Sequence, residues 1–147
     1  MRYLEDFSEG QVFELGEETI REREIIDFAR RFDAQPFHVD PEAARSSIYG
    51  GLIASGWHTG SLFMGMLVRG LIHDVVSLGS GGLDELRWLK PVRPGDTLHS
   101  ELEVIDKKPS ASKPDRGMLR VKYRIRNQRD EDVITFTSMH LTRRRPI

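Results

Sequence analysis

The sequence predicts an α+β fold in which an antiparallel sheet covers one deeply buried helix. Three observations carry this. The first third of the chain is patterned mainly as helix, and from Val75 onward it is patterned as strands joined by short turns. Between the two lies an apolar run from Leu52 to about His73, too short and too glycine-rich for a membrane span. That run holds Gly56, Gly60, Gly65 and Gly70, each of which costs an exposed helix about 1 kcal/mol against Ala. A helix that keeps all four is expected to have a sheet pressed against its backbone.

At 147 residues the chain suits one domain whose core needs no staple. Hydrophobic residues make up 38% and charged residues 31%, a balance that argues against disorder. A formal net charge of −1 gives no global field for nucleic acid or an anionic membrane. The absence of cysteine excludes a thiolate nucleophile and thiolate-bound zinc, and suits a reducing cytoplasm. No signal peptide is expected, since the first residues from Met1 to Asp6 have no apolar core.

Taken in order, residues 1–10 read as a polar lead-in and Gln11–Ile20 as a short strand. From Glu22 to Phe32 the period becomes helical. Ile25, Ile26, Phe28, Ala29 and Phe32 share one side, opposite Arg23, Asp27, Arg30 and Arg31. Thr19 and Glu22 match a capping box; a poorly capped start at Arg21 is the alternative. Pro36 pushes Gln35 out of the helical region and closes the unit in an extended kink. Asp40-Pro41-Glu42 opens a short helix through about Ser46, with Asp40 as its cap. Tyr49-Gly50-Gly51 is a turn. Residues 56–73 form the central helix, with Trp57, Leu62, Phe63, Met66, Leu67 and Leu71 as packing surface. Val75–Leu78 and Leu83–Leu89 read as strands around a flexible turn at Gly79–Gly82, which lacks the lysine and spacing of a phosphate loop. A Pro/Gly-specified connection at Pro91–Asp96 leads into a strand from Thr97 to Ile105. Lys107–Gly117 is a polar loop, and Leu119–Arg126 alternates cleanly as a strand with one buried face. After a hairpin turn at Asn127–Asp132, Val133–Leu141 is the last strand.

The chemistry concentrates in Phe32-Asp33-Ala34-Gln35-Pro36-Phe37-His38. An acid stands five positions before an imidazole, with a carboxamide and a proline between them. A kink can aim both side chains into one pocket, where they share a water, one taking a proton and the other giving one. A plainer reading also stands at this point: Asp33 caps a turn, and His38 is a satisfied, half-buried histidine. His58 is placed at the helix start near the pocket, and His73, His99 and His140 at the periphery. No metal site is expected. His38, Asp40 and His58 have suitable ligand types, but Asp40 is taken by the cap and no His-x-x-x-His pair occurs.

A sheet wrapped round one glycine-rich helix is the hotdog arrangement, and the motifs resemble the MaoC-like dehydratase group, which includes (R)-specific enoyl-CoA hydratases. That group's signature runs roughly Gly-Asp-x-Asn-Pro-aliphatic-His, followed by aliphatic-x-His-Gly at the start of the central helix. The counterparts here are Phe32–His38 and Leu52-Ile53-Ala54-Ser55-Gly56, and Leu86–Asp96 is similar to the group's strand-turn-strand segment. Gln35 stands for the usual Asn, Phe32 for Gly and Ser55 for His, and the phenylalanines are expected to narrow the pocket.

The resemblance implies a single MaoC-like hotdog domain over residues 1–147 that interconverts 2-enoyl-CoA and 3-hydroxyacyl-CoA, in fatty acid metabolism. It implies no cofactor, and a homodimer or higher homo-oligomer. Asp33 and His38 would divide the proton work, and Gln35 would orient the water. Gly56, at the amino end of the core helix, would offer its backbone N–H to the thioester oxygen. Ser55 and Trp57, which flank Gly56, are taken as substrate-binding. CoA phosphates require a local basic patch in a chain of near-zero charge. Lys107 and Lys108, with Lys113 and Arg116, are the first candidates; Arg87 with Lys90, and the Arg143-Arg144-Arg145 tail, are the others. A hotdog thioesterase and a non-catalytic acyl-CoA-binding protein are the competing readings, the second supported by the departures at Gln35, Phe32 and Ser55.

Overall fold

A computed structural model describes residues 1–147. Its strands are β1 (Val12–Thr19), β2 (Ser77–Trp88), β3 (Thr97–Pro109), β4 (Arg116–Arg126) and β5 (Asp132–Arg143). They form one antiparallel sheet in the order β1-β3-β4-β5-β2. The helices are α1 (Glu22–Phe32), α2 (Pro36–Val39), α3 (Pro41–Arg45) and α4 (Gly56–Gly70). On β4, Leu119, Val121, Tyr123 and Ile125 are buried while Arg120, Lys122, Arg124 and Arg126 face away. The buried face meets Phe63, Met66 and Leu67 of α4, and together these make the core. Each such side chain, fully buried, contributes about 1.5–3 kcal/mol. This is a hotdog fold of the α+β class.

Several elements differ from their sequence reading. Residues 1–10 are more than a polar lead-in, since Leu4 and Phe7 enter the core around a short 3₁₀ turn at Leu4–Asp6. The capping box does not form. Arg21 precedes α1 without a side-chain cap, and Thr19 instead hydrogen-bonds Thr97 across the β1–β3 pair at 2.8 Å. Gly79–Gly82 is no turn but part of β2, which pairs with β5 through register shifts on both sides of Ser80. Positive φ at Gly79 (102°) and Gly82 (156°) supplies the bulges that bend the strand. The loop read from Lys107 to Gly117 is shorter, because β3 and β4 pair out to Pro109 and Gly117. α4 stops at Gly70 and a 3₁₀ turn over Ile72–Asp74 follows.

Close approach explains two of the four helix glycines. A Cβ on Gly70 would lie 2.9 Å from the Leu15 carbonyl oxygen, and one on Gly56 would lie 2.1 Å from the Trp88 indole nitrogen. At Gly65 a Cβ would meet only the Arg69 side chain, and at Gly60 nothing within 4 Å. α4 is accordingly buried on one side only: Trp57, Met64 and Val68 are exposed along its flank. No helix is long and apolar enough to cross a membrane.

Candidate active site

The kink between α1 and α2 places the acid and the imidazole. α1 ends at Asp33, and Gln35 is extended (φ −75°, ψ 145°) as a residue before proline must be. Pro36 then opens the single turn α2, so His38 sits on helix and not on the extended kink expected. Asp40 caps α3, its Oδ1 accepting from the Glu42 and Ala43 N–H groups. These turns bring Asp33 Oδ2 to 3.3 Å from His38 Nε2. His38 is 5% exposed.

The other ring nitrogen sets the tautomer. His38 Nδ1 lies 2.7 Å from the Ile53 carbonyl oxygen, which can only accept, so Nδ1 carries a proton and Nε2 is the working nitrogen. The strand-like stretch before α4 is itself pinned, because Ile53 N–H donates to Phe37 O and Ala54 N–H to Val92 O. Gln35 Nε2 donates to Asp33 Oδ1 at 2.7 Å. Burial pushes the Asp33 carboxyl up, but the Gln35 hydrogen bond, the Ser55 hydroxyl and the His38 charge outweigh it and hold it below its ordinary value. Ser55 Oγ has no hydrogen-bond partner of normal geometry, yet its nearness still favours the carboxylate.

The same pinning sets the start of α4 beside this pair. Ser55 precedes the helix without a side-chain cap, and the N–H groups of Gly56 and Trp57 have no acceptor in the chain. The unclaimed N–H of Gly56, at the positive end of the helix dipole, therefore lies at a pocket of about 530 Å³. His38, Gln35, Gly56, Thr59, Trp88 and Lys90 are among the residues that line it. A second groove, about 290 Å³ and mostly apolar, runs between α4 and the sheet and shares Gly56, Trp88 and Ile134 with the first.

Asp33, Gln35, His38, Ser55 and Gly56 are thus brought together. Trp57 is exposed and packs edge-on against Trp88 at the groove, so it is not the core residue expected. Phe37 lines the pocket, but Phe32 does not narrow it: it is 61% exposed and packs on Phe28. Arg87 is exposed on β2, opposite Thr135. Lys107 and Lys108 are not brought to the site. Ile134 at the pocket is in register with Ile125 and, through it, Ser100. Lys107 lies seven residues farther along β3, about 23 Å at the usual strand rise. Its ammonium donates to the Leu4 and Glu5 carbonyls, and the tail residues Arg144 and Arg145 pair with Glu5 and Asp6. His140 is not peripheral either. It bonds the Tyr123 hydroxyl beneath the groove.

The MaoC like domain family model matches residues 6–122. The chain belongs to the MaoC-like dehydratase family. It is 34% identical over 131 residues to the uncharacterized protein YdeM of Bacillus subtilis, covering 88% of this chain and 91% of that one. It is 32% identical over 111 residues to the (R)-specific enoyl-CoA hydratase of Rhodospirillum rubrum, covering 71% and 70%. The crystal structure of a MaoC-like dehydratase from Rhodospirillum rubrum matches all of both chains, with a TM-score of 0.89 and 41% identity.

Proposed function

We propose that this MaoC-like chain adds water to a 2-enoyl thioester of coenzyme A and removes it in the reverse direction. The observation that carries the reading is His38, paired with Asp33, lining one pocket with Gly56, whose N–H is unclaimed. Family membership and the hydratase among its relatives support the same reaction class. In hydration, ionised Asp33 takes a proton from water as the oxygen adds to C3, and the electron pair moves to the thioester oxygen. Gly56 N–H holds that oxygen, a contribution of about 3 kcal/mol for one well-placed donor. Protonated His38 then gives its Nε2 proton to C2, and the proton on Asp33 crosses to His38 to restore the pair. Gln35 steadies the carboxylate, and its amide oxygen is left to accept from the water.

The apolar groove suits the acyl chain, since it opens from the reacting centre past Gly56. Lys90, at the pocket wall and paired with Glu131, and the nearby Arg87 are the basic residues placed to meet CoA phosphates. A second copy of the chain would cover the exposed flank of α4 and the apolar edge of β2 at Leu83 and Trp88. The test is a panel of enoyl-CoAs of graded length, followed by loss of enoyl absorbance; turnover of none of them would overturn the reading.

A further inference from the structure

Two hydroxyl side chains in the first turns of α4 behave differently. Ser61 donates to the Trp57 carbonyl at 2.8 Å, the usual way a helical hydroxyl satisfies itself one turn back. Thr59 does not make the equivalent bond. The Ser55 carbonyl already accepts from the N–H groups of His58 and Thr59, and Thr59 Oγ1 has no partner although the residue is 1% exposed. Buried polar groups are nearly always paired, so an orphan of this kind calls for a reason. Two other buried atoms share the condition, Ser55 Oγ and His58 Nδ1. Ser55 stands against Asp33, and the His58 ring is stacked on Phe28. Of the three residues, only Thr59 lines the catalytic pocket.

Its direction follows from helix geometry. Side chains tilt toward the helix N-terminus, and residues three apart are neighbours on one face. Thr59 therefore leans over Gly56, whose N–H is also unclaimed. We propose that the Thr59 hydroxyl is a second donor to the thioester oxygen, so that Thr59 and Gly56 form a two-donor site and Thr59 is a catalytic residue. The inference rests on the hydratase reading. Thr59 keeps its proton throughout: its hydrogen bond strengthens as negative charge gathers on the oxygen, and no bond to Thr59 forms or breaks.

Thr59→Val keeps the shape and removes the hydroxyl, and Thr59→Ser keeps the hydroxyl. With an enoyl-CoA that the wild type turns over, Thr59→Val should lower kcat and kcat/KM together by about 100-fold, the signature of a contact made in the transition state. Its Tm should equal or exceed that of the wild type, because a buried group without a partner is removed. Thr59→Ser should recover most of the rate. Wild-type kcat in Thr59→Val, a fall in its Tm or a failure to fold, or no recovery in Thr59→Ser would each overturn the assignment. Absence of wild-type turnover on every enoyl-CoA overturns the hydratase reading and this inference together; an active wild type with an unaffected Val variant overturns Thr59 alone.

Discussion

Gly60→Ala is expected to stabilise the protein. Gly60 lies in the second turn of α4, and a Cβ built there meets nothing within 4 Å. Alanine in a helix interior gains about 1 kcal/mol over glycine, largely by restricting the unfolded chain. For a domain of this size that raises Tm by about 2–4 °C. Gly70→Ala is the control of opposite sign. Its Cβ would sit 2.9 Å from Leu15 O and 3.0 Å from Leu15 Cα, both backbone atoms that cannot swing aside. Prising α4 from β1 costs about 1–3 kcal/mol. Thermal unfolding by circular dichroism measures both variants. Gly60 also lines the apolar groove, so its added methyl should lower kcat/KM for long acyl chains and spare short ones. A lower Tm for Gly60→Ala, or equal stability of the two variants, would refute the view that close packing holds Gly70 and leaves Gly60 free.

Burial holds the His58 and His140 imidazoles below their ordinary pKa, so their contribution to stability is present above the unfolded value of about 6.5 and is lost as pH falls below it. His140→Gln keeps a partner for the Tyr123 hydroxyl and should flatten the fall in Tm between about pH 7 and pH 5; a fall as steep as that of the wild type would count against it. Reversing charge at Lys107 and Lys108 should leave KM for CoA substrates unchanged, whereas Lys90→Ala should raise it with little change in kcat, less so at high salt. A rise in KM from the Lys107 and Lys108 changes would place the phosphates at the far end of β3. Light scattering at micromolar protein should show a dimer, and an active monomer would contradict the second copy proposed over α4 and β2.

Much of the fold was legible because it rests on local pattern. The alternation along β4 and the apolar side of α1 follow from residue spacing alone, and both elements stand where the spacing puts them. β2 was hidden because Gly79 and Gly82 carry a turn signal, and only its pairing with β5 turns that signal into bulges. Lys107 and Lys108 read as loop for a related reason: polar residues at the solvated end of a strand look like a connection until Pro109 finds Gly117. In the site, Pro36 made the Asp33-to-His38 spacing readable. The Ile53 carbonyl that orients His38 was not, since it comes from fifteen residues away. The orphan state of Thr59 depends on which carbonyls are already taken, although a hydroxyl one turn after Gly56 on an apolar helix was a visible signal.

The acid–base pair is tested most directly by following enoyl absorbance with wild type, Asp33→Asn, His38→Ala and the double variant, each checked for an unchanged fold. Wild type should turn over at least one enoyl-CoA, and each single variant should lose about a hundredfold or more. The double variant should fall far short of the product of the two losses, because the residues act as a unit. Near-wild-type turnover in either single variant would contradict the mechanism.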